Sequence, residues 1–259
     1  MNGIEPSYCY QSTRVRELLR KAVANEAKRH HPVPHGGRCG PTKRRHLRTS
    51  VCILYSFAMV GSIAKTGRKL AAEFAVLRTR DFELRGIPRQ CIADLVVDGV
   101  WEKIGHGLYA SAVLPPGPHH SLLEVAQQSP RAIVCLLSAL RFHELTTETP
   151  SEVWIALPRN QRGPRASTVH IKAVRLSGRA FTEGVEERRI QGVLVKVYSV
   201  AKTVADCFKF RNQIGTNVAL EALRDAWRSK KVTADELWHH AKVCRVANIM
   251  RPYLEAVVR

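Results

Sequence analysis

The chain is expected to fold as an α+β protein in two parts: an N-terminal winged helix-turn-helix, then a mixed α/β domain with a helical C-terminal part. Three observations predict this. Short helical patterns bounded by Pro and Gly run into a Gly-X-Gly hairpin over residues 62–111. A Pro-rich stretch, SAVLPPGPHHS, follows at 111–121. Beyond it, apolar runs of strand length alternate with helical ones. With 259 residues, 45% hydrophobic and 24% charged, the chain can bury one large core or two modest ones.

Residues 1–58 form a basic extension. It carries one weak helical patch, TRVRELLRKAVANEAKRHH, and then PVPHGGRCGPTKRRH, which has no apolar period, so the segment is expected to be disordered and to add no core. Met59 opens MVGSIAKTGRKLAAEF, where the folded part is expected to begin, and the extension is therefore a candidate start-site misassignment. The apolar run VCILYSFAMVGSIA at 51–64 is about fourteen residues long, short of the ~20 needed to cross a bilayer. Neither secretion nor insertion is expected, which leaves the cytoplasm as the expected compartment.

The second segment, 59–112, is the expected winged helix. In SIAKTGRKLAAEF, Ile63, Leu70 and Phe74 fall near one helical face. TRDFELRG supplies a second short helix, with Thr79 as expected N-cap and Gly86 as its stop. A third helix, 88–98, starts at Pro88, which needs no amide donor there, and ends at Gly99, which permits a left-handed exit. Ile92, Leu95 and Val96 face the core, leaving Arg89, Gln90, Ala93 and Asp94 open. VWEKIGHGLYA then folds back as two short strands around Gly105-His106-Gly107. In such an arrangement the third helix enters the major groove and the hairpin rests on flanking backbone. Arginine can reach guanine O6/N7 and glutamine adenine N6/N7, so Arg89 and Gln90 are the candidate readers; Lys103 and His106 are candidate phosphate contacts, and Arg78 and Arg80 complete the expected DNA-binding set.

Residues 113–121 are the expected linker and 122–259 the expected α+β domain, each side folding independently. LLEVAQQ and AIVCLLSALRFHEL read as helices, EVWIALP, TVHIKAVRLS and GVLVKVYS as strands. Three closing helices follow: SVAKTVADCFKFRNQIG, capped by Ser199 and stopped by Gly215; NVALEALRDAWRSKK; and one opened by the capping box Thr233-x-x-Glu236. Phe142 and Trp154 are expected core residues.

Charge and composition narrow the partners. There are 41 Lys and Arg against 22 Asp and Glu, a net charge of +19, which favours a polyanion such as nucleic acid. Residues 1–69 hold 14 basic and 3 acidic side chains, so the other 190 carry +8, and residues 70–111 alone hold five basic and six acidic. None of the seven cysteines pairs as C-x-x-C; Cys91, Cys135, Cys207 and Cys244 lie in apolar or helical contexts and read as reduced, buried thiols. Adjacent histidine pairs lack ligand spacing, so no metal is expected, and no cofactor motif is present. His143-Glu144 is one acid–base pair without a nucleophile, and Glu144, Glu148 and Glu152 lack a second acidic cluster, so no catalytic residue is assigned.

Several separate motifs carry a resemblance: VLRTRDFELRGIPRQCIADLVVDGVWEKIGHGLYA, CLLSALRFHELTTETPSEVWIALP, RLSGRAFTEGVE, VKVYSVAKTVADCFKFRNQIG and VALEALRDAWR. Together they span about residues 60–259 and closely resemble the AbiEi family of antitoxins from bacterial type IV, abortive-infection toxin–antitoxin systems, which act in phage defence. The resemblance implies a winged helix that binds inverted repeats in its own promoter. It also implies a C-terminal domain that counteracts a nucleotidyltransferase-like toxin. Where members of the family carry Gly-Arg-Gly in the wing, this chain has His106, and the loss of a permanently charged guanidinium there is expected to weaken phosphate contact at neutral pH. Lys202, Asp206, Lys209 and Arg211 are the expected antitoxin surface; the plainer alternative is an i,i+4 ion pair on a solvated face. Two other functions stand beside this one, a nuclease or phosphotransferase targeted to DNA and a ligand-sensing transcriptional regulator.

Overall fold

The structure is a computed structural model and describes residues 61–146, 150–161, 163–164 and 169–258. The basic extension with its helical patch, the Met59 start, most of the apolar run at 51–64, Cys9, Cys39, Cys52 and Glu148 lie outside the described residues. The chain divides into two units, Met1–Ala64 and Lys65–Arg259. In the first, only 61–64 are described, and they are helical; this helix, α1, runs to residue 73.

Helices and sheets are both present, and the fold is α+β. The helix-and-hairpin order expected for the N-terminal segment is found: after α1 come β1 (Val76–Arg78), α2 (Thr79–Glu83), α3 (Arg89–Val97), β2 (Trp101–Gly105) and β3 (Leu108–Ser111). The three strands form an antiparallel sheet in the order β1-β3-β2. Gly86 and Gly99 take φ of 80° and 68°, so each supplies the left-handed turn that ends its helix. The N-cap of α2 is Arg78 rather than Thr79: the Asp81 carboxylate accepts the Arg78 amide at 3.0 Å, and Thr79 is already helical.

The rest of the chain builds α4 (His120–Gln128), β4 (Ile133–Val134), α5 (Leu136–Phe142), β5 (Val153–Pro158), β6 (Ile171–Leu176), α6 (Arg179–Thr182), β7 (Val185–Ile190), β8 (Val193–Tyr198), α7 (Val200–Lys209), α8 (Arg211–Ile214), α9 (Thr216–Arg228), α10 (Ala234–Val243) and α11 (Ala247–Val258). Their strands form one mixed sheet ordered β6-β5-β4-β8-β7. Three sequence expectations change here. AIVC is not helical, because Ile133–Val134 is a strand pairing with β5 and β8. The helix from Ser199 breaks at Phe210 into α7 and α8, and the one opened by Thr233 stops at Cys244, so that α11 is separate. The caps hold: the Ser199 hydroxyl accepts the Lys202 amide, and Thr233 and Glu236 form the capping box.

Strand alternation sends side chains to both faces of the mixed sheet, and both faces are buried. On one, Ile133, Trp154, Ala156, Val174 and Leu176 meet Val204, Phe208, Leu223, Leu237 and Met250 of the closing helices. On the other, Val134, Ile155, Leu157, Val193, Val195 and Val197 meet Leu122 and Leu123 of α4, together with Ala75, Val76 and Leu108 from the N-terminal sheet. The expectation of two independently folding parts therefore meets a shared core. Ala75 N–H donates to the Gln191 carbonyl at 3.0 Å and Gln127 Nε2 to the Val76 carbonyl at 2.9 Å, which ties the N-terminal sheet to the β7–β8 hairpin and to α4. The Pro-rich stretch interrupts regular structure without separating the two cores.

Candidate nucleic-acid interface

The N-terminal module is held by a small aromatic centre. Phe82 of α2 is fully buried, with its ring edge-on to Trp101 at 4.9 Å and to Tyr109 at 5.6 Å. Trp101 Nε1 donates to the Gly67 carbonyl at 3.1 Å. A Cβ at Gly67 would lie 2.6 Å from the Leu95 methyls, so its absence lets α1 and α3 approach. Ile92 and Leu95 are buried and Val96 is half-buried, as the pattern required. Pinned along that face, α3 turns Arg89, Gln90, Ala93 and Asp94 outward, all exposed.

The hairpin is tied to α2 at its tip. Gly107, at φ 65°, offers its carbonyl to the Thr79 amide at 3.0 Å, and the ladder shifts register between Lys103 and Gly105, a bulge that bends the hairpin. Between the tip, α2 and the start of α3 lies a cleft of about 350 Å³. Arg78, Arg80, Arg89 and His106 line it together, with the polar Gln128 and one acid, Glu83. Four of the six residues singled out for DNA contact thus share one concavity. Gln90 and Lys103 are exposed but stand outside its lining. Arg78 is partly occupied, since its Nε lies 3.2 Å from Asp81. Gln128 was not foreseen; it comes from α4, at the far side of the Pro-rich stretch, and only its place at the C-terminal end of LLEVAQQ could have pointed to it.

The C-terminal surface expected around α7 requires correction. Lys202 and Asp206 are 0% and 1% exposed, and all of Ala201–Phe208 is buried, because α7 runs through the middle of the closing helices. Lys202 Nζ donates to Asp206 at 2.5 Å and sits 4.1 Å from the Tyr198 ring centroid, and Cys244 Sγ donates to the other Asp206 oxygen at 3.3 Å. The pair is neither an exposed antitoxin face nor a solvated ion pair. Burial raises the Asp206 carboxyl above its ordinary value despite the opposing ammonium. Lys209 and Arg211 are half-buried, and Arg211 donates to the Phe208 carbonyl at 3.0 Å.

Groups that could carry out chemistry are similarly quiet. Burial first, and Asp206 second, push the Cys244 thiol up to about 12 and Cys135 well above its usual value, so both stay protonated and unreactive. His143 Nε2 meets the Tyr198 carbonyl at 2.7 Å, and burial lowers its pKa. Among the described residues no group of His, Cys, Asp and Glu could hold a metal ion, and no helix is long and apolar enough to cross a membrane.

Helix, strand, two helices and a hairpin surround one basic cleft, and most of this segment is covered by a family match. Residues 68–112 match the model of a family described as transcriptional regulator, AbiEi antitoxin; the AbiEi resemblance read from the sequence holds over that segment. No curated protein matches the chain. Among solved structures, the crystal structure of the RV2827C protein from Mycobacterium tuberculosis is similar at 16% identity, covering 76% of this chain and 79% of that one, with a TM-score of 0.47.

Proposed function

We propose that the chain is a DNA-binding antitoxin of a type IV toxin–antitoxin system. In this reading it represses its own operon through the N-terminal module, acting as a winged helix-turn-helix, and counteracts a nucleotidyltransferase-like toxin through the remainder. It acts in the cytoplasm and is not an enzyme. The observation that carries this is the cleft in which Arg78, Arg80, Arg89 and His106 come together beside the exposed start of α3. Residues 70–111 have no excess of positive charge, so net charge alone does not draw DNA to the module. Grouping its cations along one cleft concentrates their field where a phosphate backbone would run. Arg89 and Gln90 open α3, the end of a recognition helix that meets base edges, while Lys103 and His106 lie on the wing. The match of residues 68–112 to an antitoxin family of transcriptional regulators supports the same reading.

The neutralising part is assigned to the mixed sheet and closing helices on the resemblance of their motifs. The buried Lys202–Asp206 pair takes no direct part; it fixes α7 inside the domain. Two measurements test the proposal. Purified protein is titrated against DNA from upstream of its own gene, where protection of an inverted repeat is expected and binding no tighter than to unrelated duplex would refute repression. Co-expression with the nucleotidyltransferase-like product of a neighbouring gene is expected to restore growth, and continued arrest would refute the antitoxin assignment.

A further inference from the structure

A second cleft, of about 490 Å³, opens where the end of β6, the turn into α6 and the C-terminal ends of α7 and α10 meet. Arg175, Arg179, Lys209, Lys242 and Arg245 line it, and no carboxylate does. Some of this charge has a local explanation. Lys209 and Lys242 lie in the last turns of α7 and α10, where cations complement the helix dipole, and Glu183 pairs with Arg179. The explanation is incomplete by magnitude. Glu183 offsets one charge and the two helix ends about half a charge each, which leaves roughly three positive charges around one concavity. Like charges gathered this way repel unless an anion joins them.

We propose that this cleft binds a small ligand bearing a chain of phosphates, either a nucleoside triphosphate or free triphosphate. Three arginines supply planar forks that match phosphate oxygens two at a time, and two lysines supply point charges. The lysines are steadied by rings, Lys242 at 5.4 Å from Trp238 and Lys209 at 6.0 Å from Phe210. The volume falls in the range of small-molecule sites, ~300–1,000 Å³, and a triphosphate's negative charge is of the size left unmatched. This inference concerns residues outside the proposed DNA interface and does not rest on it.

The test is calorimetric titration of the full chain with ATP and with tripolyphosphate, beside a single-stranded oligonucleotide. Saturable binding of both small anions in mutual competition is expected; tighter ATP binding identifies the nucleoside as part of the ligand, and equal binding identifies the phosphate chain alone. Arg175→Glu with Arg245→Glu should weaken binding more than tenfold and the neutral pair R175Q/R245Q less, while Arg224→Glu, exposed on α9 away from the cleft, should leave it unchanged. Far-UV circular dichroism and a cooperative thermal transition serve as folding controls and should be kept by every variant. No binding of either anion, binding that survives both charge changes, or binding of the oligonucleotide alone overturns the proposal.

Discussion

Replacing Lys202 by Met keeps the length of the side chain and removes its charge, leaving the Asp206 carboxylate buried with the Cys244 thiol, at 3.3 Å, as its hydrogen-bond donor and the more distant Lys209 as its nearest favourable charge. Breaking one side of a buried pair costs about 3–5 kcal/mol, far more than loss of an exposed pair. At roughly 2–4 °C per kcal/mol for a chain of this size, the melting temperature should fall by about 6–20 °C. The double variant Lys202→Met/Asp206→Leu removes both charges and should lose less than the single change. The sign of the pH dependence follows from Asp206, whose carboxyl is raised by burial in the parent and should rise further without the ammonium. A carboxyl with a raised folded pKa binds its proton more tightly folded than unfolded. Its contribution is therefore fully present below the unfolded value near ~3.9 and is lost as pH rises through the folded one. The deficit of Lys202→Met should accordingly be smallest near pH 4 and grow toward neutrality. Urea and thermal unfolding of the three proteins across that range measure this. A loss below about 1 kcal/mol for the single variant, the scale of a surface pair, would refute the buried-network reasoning.

Three further outcomes follow from the packing. Gly192 sits at φ 78° in the two-residue turn between β7 and β8, and a Cβ there would lie 2.8 Å from the Glu73 carbonyl and collide with the Phe74 ring, so Gly192→Ala should cost about 2–4 kcal/mol by chemical denaturation. A fragment starting at His120 would uncover Leu122, Leu123, Val193 and Val195, which pack against Ala75, Val76 and Leu108; it should unfold at lower urea than the full chain or fail to give a cooperative transition. Burial lowers the pKa of His143 and of His240, so stability present above ~6.5 should be lost as pH falls through their folded values, and His143→Gln should flatten part of the decline measured by thermal melts from pH 7 to pH 5.

The N-terminal module was legible because its signals are local. Pro88, Gly86 and Gly99 bound the helices, and the alternation around Gly105-His106-Gly107 requires a hairpin whatever packs against it. The capping residues Ser199 and Thr233 were legible for the same reason. What escaped depends on tertiary surroundings. VEERRI of β7 is a charged strand at the edge of the sheet, with no apolar alternation to announce it, and its Gln191-Gly192 turn lacks the Asn-Gly or Asp-Gly signature. Ile133–Val134 is too short a strand to separate from the helix that follows. In SVAKTVADCFKF the i,i+4 spacing of Lys202 and Asp206 suggested a polar face, yet Val200, Ala201, Val204, Ala205, Cys207 and Phe208 are spread around the rest of the helix, and a helix apolar on most sides is a buried one. The independence of the two parts was inferred from prolines, which record where regular structure stops; whether the sides share a core depends on Val76 and Leu108 joining Leu123 and Val195 in one cluster, which brings together residues as distant in sequence as Val76 and Val195.

The most direct test of the account is a gel-shift titration of Arg89→Ala and Lys103→Ala on the upstream repeat and on single-base variants of it. Arg89 opens α3 at the lining of the basic cleft, whereas Lys103 lies on β2 of the hairpin outside that lining, so the two should fail differently. Arg89→Ala is expected to cost about 1–3 kcal/mol on the parent site and to erase discrimination at one base pair, with Lys103→Ala weakening all sequences alike and reducing the salt slope by about one. Equal, sequence-blind losses for both variants would contradict the assignment of α3 as the reading helix.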